Sequence, residues 1–301
     1  MSLVIGLYSR LKSGGNKMEH NMYTVTELFG PCAQGEGRYV GAPSIFLRLF
    51  GCNLQCQGFG MPKGELSHER DLVANNGLTY DTVDSLPLVR TGCDSYAAWD
   101  TRFKYLSKQY TIQELVDKIK SMLPNGSFQQ TTNNNIHLVI TGGESLLPHW
   151  QKNHCEFIHE LRRQLNLKYL TFETNGTQVL SEELTDVLNL VSDVTFSVSP
   201  KLSASGEPRN KTIKKEAINS YFKCIGTTYL KFVVGDESNF DEVEDVLNEL
   251  EYLGDVFIMP VGGCYDEYKK IAPIICDLCM KKGYRYTPRL HIDLFGNCWG
   301  K

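Results

Sequence analysis

The feature that most limits how this chain folds is an alternation of strand-like and helix-like segments running from Thr111 almost to the end. TIQELVDKIKSML carries apolar residues at helical spacing, with Thr111 placed as its cap and Glu114 completing a capping-box signature. IHLVITGG reads as a buried strand ending in a Gly-Gly turn, HWQKNHCEFIHELRRQL as a helix, and LKYLTFETNG as a strand. SEELTDVLNLV follows as a helix capped by Ser181, DVTFSVSPK as a strand, and KKEAINSYFKCIG as a helix closed by Gly226. TYLKFVVG, NFDEVEDVLNELEYLG and DVFIMPVGG continue as strand, helix and strand. YDEYKKIAPIICDLCMKKG is a helix interrupted or kinked near Pro273, and YRYTPRLHIDLFG a final strand.

Upstream, Ser44–Phe50 sets Ile, Leu and Leu on one side against Phe, Arg and Phe on the other, a strand with few polar positions. Counting from there to Gly262 gives six strands separated by helices. That pattern predicts an α/β fold: a parallel sheet with helical crossovers, long enough for a six-unit (β/α)6 barrel or most of one. In such barrels reactive groups sit at the C-terminal ends of the strands. The most distinctive words, GCNLQC, TGGE, ETNG, SPK and MPVGG, fall there. A doubly wound sheet would instead carry a glycine-rich phosphate loop after its first strand, where this chain has cysteines.

Residues 1–21 read as a flexible leader without a signal-peptide core, so Met18 or Met22 is a candidate start. Residues 22–301 form a single domain: a strand over 22–30, a turn-rich loop, then the barrel. Residues 57–92 are polar and turn-rich, too long for an ordinary connection, and read as an insertion or lid. No stretch approaches the roughly 18 apolar residues a membrane helix needs. The net charge of −4, with no basic run, argues against direct nucleic-acid binding.

Ten cysteines at irregular spacing, several within core-like elements (Cys155, Cys224, Cys276), suit a reducing cytoplasm with some metal-bound thiolates. Cys52 and Cys56 follow the first barrel strand, and Phe59 stands where a third cysteine of a compact motif would be. The next is Cys93. Distant thiolates can still share an iron–sulfur cluster if the chain returns them to one place. Spacing alone leaves ordinary buried thiols, or a zinc site with His68, as alternatives. Cys276 and Cys279 form a CxxC inside an amphipathic helix. Core packing is preferred there over a second cluster with Cys264 and Cys298.

The words QGEG (34–37), GAPSIFLRLFGCNLQC, CDSYAAW, TGGESLL, FETNGT, SVSPK, YLKFVV, IMPVG and RLHI, in this order, resemble the 7-carboxy-7-deazaguanine synthases. These are radical S-adenosylmethionine enzymes, and the likeness covers nearly the whole chain from about Tyr23. Each word alone is weak. QGEG with Arg48 just before the first cysteine separates this family from radical enzymes in general.

The resemblance implies a partial or modified radical-SAM (β/α)6 barrel, a 4Fe-4S cluster on Cys52, Cys56 and Cys93, S-adenosylmethionine, and Mg2+ held by Ser95. It places the cofactor against Gly92, Asp94, Gly142, Gly143 and Glu144, the last accepting from its amino group. Glu173, Thr174, Asn175, Ser199, Pro200, Lys201, Met259, Pro260, Val261 and Gly262 complete that site, with Ser199 and Lys201 at the nucleoside end. Gln34, Gly35 and Glu36 would read the pterin's amide-like edge, and Arg48 would grip its carboxylate. Thr141, His291 and, through its terminal carboxylate, Lys301 are lesser substrate contacts.

The implied reaction is a radical ring contraction of 6-carboxy-5,6,7,8-tetrahydropterin to 7-carboxy-7-deazaguanine with loss of ammonia, as in queuosine-type pathways. An electron donor such as flavodoxin and a homodimer are implied with it. The chain departs from the family in three places: the 36 residues at 57–92 splitting the cysteine motif, Ser95 in place of threonine, and TGGES in place of TGGEP, which removes a first-turn proline. Two rivals are a glycyl-radical activase, which has no need of QGEG and Arg48, and a non-catalytic binder that kept the fold, favoured by Phe59.

Overall fold

Alternation along each strand decides the architecture, because a strand buries one face against helices and turns the other inward. The structure, a computed structural model, describes residues 22–132, 134–296 and 298–300. The leader 1–21 and Lys301 lie outside the described residues. One nine-stranded sheet runs β3-β1-β2-β4-β5-β6-β7-β8-β9. Its six main parallel strands are β2 (Pro43–Leu49), β4 (His137–Gly142), β5 (Tyr169–Thr174), β6 (Asp193–Val198), β7 (Thr227–Val234) and β8 (Val256–Pro260). They are the six expected from the sequence. Their spatial order never reverses, so right-handed crossovers place the connecting helices on one face. That is the arrangement of an open, partial barrel and not of a doubly wound sheet.

The outward residues make the main core: Ile45, Leu47 and Leu49 on β2, Leu138 and Ile140 on β4, Phe196 and Val198 on β6. The inward residues line a cavity: Phe46 and Arg48, then Thr141, Glu173, Ser197 and Lys231 on the following strands. Facing them outward are α2 (Ile112–Met122) and α3 (Pro148–Leu165). The expected capping box of α2 is present: Thr111 N–H donates to Glu114 Oε2 at 2.8 Å. Ser181 caps α4 (Glu182–Leu188) through the Leu184 N–H.

Flanking the parallel strands, β1 (Met22–Ala33) pairs antiparallel with β2 and with the short β3 (Lys108–Thr111). Residues 57–92 build a satellite lobe around α1 (Glu69–Asn75). Val73, Tyr80, Val83, Leu86 and Val89 pack there on Tyr96 and Phe103. Arg70 of α1 stacks over the Trp99 ring at 4.4 Å. No helix among the described residues is long and apolar enough to cross a membrane.

Three expectations about elements are corrected. Residues 284–296 are not one strand. Only β9 (Arg285–Tyr286) pairs with β8, and Leu290–Phe295 is a helix, α9, ended by Gly296 at φ +69°. Pro288 offers no N–H to the ladder, which stops the strand there. The helix at 214–226 is only α6 (Lys215–Tyr221). Gly226 does not cap it but lies against the strand before: a Cβ there would stand 2.4 Å from Val194 O. The helix α8 (Tyr265–Lys282) continues through Pro273, which removes the interruption expected there as one of two outcomes. The missing TGGEP proline is replaced three residues on, where Pro148 occupies the first turn of α3.

Under this sheet His154 is fully buried between Tyr23 and the Ser145 carbonyl, each 2.9 Å away. A carbonyl only accepts, so Nε2 carries the proton and Nδ1 accepts from the tyrosine hydroxyl. Burial pushes the ring's pKa down to about 4, so it folds neutral. The unfolded chain then binds one more proton between pH 6.5 and 4. Folding stability is therefore expected to fall as pH drops through that window, by about 1.4 kcal/mol per pH unit for this residue. Urea midpoints at pH 7.5 and 5.5 check this; a His154→Gln protein with the wild-type slope would contradict it.

Candidate active site

At the C-terminal ends of the strands the chain folds each sequence word toward one cavity. Cys52, Cys56 and Cys93 all line it. The detour between the second and third is closed at a neck: Gly92 N–H donates to Phe59 O at 2.7 Å and Ser67 N–H to Gln57 O at 2.8 Å. Phe59, where a compact motif would have its cysteine, thus hands the chain back to the residue before Cys93. The insertion leaves the cysteine loop locally continuous, and its Phe59, Leu88 and Arg90 wall the cavity.

The three cysteines are free thiols. Burial pushes Cys52 up to about 12 and raises Cys56 and Cys93 as well. Thiols held protonated inside a cavity are poor nucleophiles but good ligands once a metal's charge stabilises the thiolate. No group of three His, Cys, Asp or Glu among the described residues is arranged to hold a single metal ion. Three thiols lining one cavity are of the kind that hold a multi-iron group, in which each thiolate takes its own iron.

Gly142 and Gly143 are needed for close approach. A Cβ on Gly143 would lie 2.3 Å from Gly51 O and 2.7 Å from Cys52 Cβ; one on Gly142 would lie 2.3 Å from Leu49 O. They let β4 press against the cysteine-bearing end of β2, and both also face the cavity. Glu144 does not face it. Fully buried, it accepts from Leu146 N–H (2.9 Å), Thr174 Oγ1 (2.7 Å) and Asn175 N–H (2.7 Å). A buried carboxylate must be satisfied, and here the ETNG turn satisfies it. Both of its oxygens are engaged by the protein, and a contact with the cofactor's amino group would be made beside these bonds. Pro200 and Pro260 also stay off the cavity wall, whereas Gly92, Glu173, Thr174, Asn175, Ser199, Lys201, Met259, Val261 and Gly262 are on it.

A chain of alternating charges also lines the cavity. Arg48 Nε donates to Glu27 at 2.7 Å, and its Nη1 to Ser95 Oγ at 3.2 Å. Ser95 in turn donates to Asp94 Oδ1 at 3.3 Å. Asp94 meets Arg289 Nη2 at 2.5 Å, and Arg289 also donates to Gly262 O. Glu36 pairs with Lys231 and lies 3.5 Å from Arg289 Nε. Burial would raise the Glu36 carboxyl, but Lys231 and Arg289 outweigh it and hold the pKa near 2. Gln34 spans Glu173, which accepts from its amide at 3.4 Å, and the Glu36 N–H at 3.3 Å.

The final segment seats this QGEG loop. Gly37 N–H donates to Thr287 Oγ1 at 2.6 Å, and Leu290 N–H to Gly35 O at 3.0 Å. His291 packs against Gly35 from α9, not from a barrel strand, and lines the cavity with Thr141. Burial, then the charge of Arg289, push its pKa down to about 4, so near neutrality it offers one donor and one acceptor. Trp299 closes the rim, its indole N–H donating to Leu86 O at 3.0 Å, and Gly300 N–H donates to Glu27 Oε1 at 3.0 Å.

The site residues read from the sequence words account for most of the cavity wall but not for Glu27, Lys231 and Arg289. Lys231 carried a usable signal, since it is the one charge in an otherwise apolar-run strand, TYLKFVV. The others sit in segments whose pairing only the fold reveals.

No family model matches the chain. Among curated proteins, a 7-carboxy-7-deazaguanine synthase of Halobacterium salinarum is 30% identical over 297 residues, covering 91% of this chain and 90% of that protein. One from Pyrobaculum aerophilum is 28% identical over 281 residues, covering 92% and 96%. Among solved structures, the crystal structure of QueE from Escherichia coli aligns with a TM-score of 0.50 at 18% identity, over 91% of this chain and 99% of that one, a likeness of fold.

Proposed function

Because this chain belongs to the 7-carboxy-7-deazaguanine synthase family, we propose that its cavity converts 6-carboxy-5,6,7,8-tetrahydropterin to 7-carboxy-7-deazaguanine with loss of ammonia. The observation that carries this reading is the single cavity shared by Cys52, Cys56 and Cys93 and the Arg48–Ser95–Asp94–Arg289–Glu36 charge chain. Cys52, Cys56 and Cys93 would hold the 4Fe-4S cluster, with S-adenosylmethionine beside it along Gly142, Gly143 and the strand ends at Asn175, Ser199 and Val261. When bound, the cluster supplies the electron that makes S-adenosylmethionine a hydrogen-abstracting reagent.

The chain's own residues bind, orient and enclose. Arg48 has five N–H donors, of which Glu27 and Ser95 take one each, so it meets a substrate carboxylate with its side chain already fixed. Gln34 and Glu36 face the ring edge; Lys231 and Arg289 keep Glu36 ionised as an acceptor. Neutral His291 adds a donor or acceptor without adding charge. Phe59, Leu88 and Trp299 cover the cavity and keep bulk water out of a radical reaction. In the same reading the Ser95 hydroxyl supports a magnesium ion at the substrate carboxylate, a flavodoxin-type donor delivers the electron, and the enzyme works as a cytoplasmic homodimer.

Anaerobic reconstitution followed by iron counting and a carboxypterin turnover assay tests the reading. A protein that takes up the cluster but leaves carboxypterin unchanged would end it. Arg48→Ala is expected to weaken carboxypterin binding by about 2 kcal/mol, roughly thirtyfold, the worth of charged hydrogen bonds. Unchanged affinity would remove the carboxylate clamp.

A further inference from the structure

Cys56 has φ +51°. The only other non-glycine residues with positive φ among those described, Asn166 and Glu251, end helices, where the left-handed conformation is a common stop. Cys56 ends no helix, so something else must hold it in a conformation that L-residues disfavour. The holder is Glu207. Glu207 Oε1 accepts the N–H of Gln55 at 2.6 Å and the N–H of Cys56 at 3.0 Å. Two successive N–H groups converging on one anionic oxygen form a nest, the geometry a left-handed residue creates. The same segment grips the far side of the loop, where Gly58 N–H donates to Ser205 O at 2.8 Å. Contact there is backbone to backbone, since a Cβ on Gly58 would lie 2.5 Å from Gly206 N.

We propose that Glu207 is a positioning residue for the cluster. Its carboxylate fills the nest at Gln55–Cys56 and fixes the left-handed backbone that turns the Cys56 thiolate into the cavity. The inference rests on the function proposed above, and it concerns a residue 151 positions away in sequence, outside every motif that carries the family resemblance. Glu207 does not line the cavity, so it acts through the Gln55–Cys56 backbone.

The test compares wild type, Glu207→Ala, Glu207→Gln and Glu207→Asp after anaerobic reconstitution. The readouts are iron per chain, the electron paramagnetic resonance spectrum of the reduced cluster, and the rate of iron loss to a chelator. Alanine removes the acceptor, and aspartate keeps the charge but is one methylene short. Both are expected to lose iron at least tenfold faster than wild type. Glutamine offers the same oxygen and is expected to restore the wild-type rate and spectrum. Should the alanine variant fail to fold by circular dichroism, the aspartate variant carries the same expectation. Wild-type iron retention in the alanine and aspartate variants overturns the proposal, as does a glutamine variant as labile as alanine. A wild-type protein that takes up no cluster refutes the proposed function itself, which keeps the two failures apart.

Discussion

Cys93→Ala protein, reconstituted anaerobically, is expected to lack the broad visible absorption of a four-iron cluster and to have no turnover. The reason is the neck. Gly92 and Phe59 are hydrogen-bonded at 2.7 Å, so Cys93 returns to the loop that carries Cys52 and Cys56. Of the ten cysteines, only these three and Cys298 line the cavity, and Cys298 belongs to the closing tail. Removal of Cys93 leaves two thiolates from the loop, and a cluster with one further iron unliganded is easily lost. The effect on turnover is expected to exceed a thousandfold, an on-the-order-of figure for loss of a whole cofactor. An intact cluster in the alanine protein would show that the third ligand lies elsewhere. It would also return the Phe59 position to the argument for a binder that kept the fold.

The second large effect is expected at Arg289. Its guanidinium joins Asp94, Glu36 and the Gly262 carbonyl, and the side chain is only 10% exposed. Arg289→Met leaves two carboxylates facing each other across the cavity without their shared cation. Removing one partner of a buried ion pair costs about 3–5 kcal/mol. Asp94 retains partial access to solvent, which places the expected loss near the lower end, about 3 kcal/mol. Arg289→Lys is expected to recover only part of this, because an ammonium lacks the planar fork that reaches three partners. Denaturant melts of the cofactor-free protein measure the stability term, and carboxypterin titration measures the affinity. Wild-type stability in the methionine variant would mean that water or Lys231 already neutralises the pair.

The two predictions fall on different kinds of residue, and the difference explains how far a one-dimensional reading reaches. Cys93 was identifiable because its neighbours Asp94 and Ser95 belong to a word that survives an insertion. Arg289 was not: RLHI read as the end of a strand, and a strand arginine there has no reason to meet Glu36. Only when Pro288 breaks the strand and α9 turns back does the guanidinium arrive between β8 and the QGEG loop. Glu144 shows a contact its own motif does not carry: the ETNG turn after β5 donates to both its oxygens.

What the sequence by itself determined is the parity and order of six strands. A two-residue period is local, so apolar Ile45, Leu47 and Leu49 against Phe46 and Arg48 already separates core from cavity. Helix caps at Thr111 and Ser181 are likewise written within four residues. What only the tertiary structure decided is which charges meet and how the cysteine loop is held. Glu27 with Arg48, Glu36 with Lys231, Asp94 with Arg289 and Glu207 with Cys56 join segments 21 to 195 residues apart. A charge carries no record of its partner in its own neighbourhood; the partner is chosen by where the backbone brings a counter-charge once water is excluded.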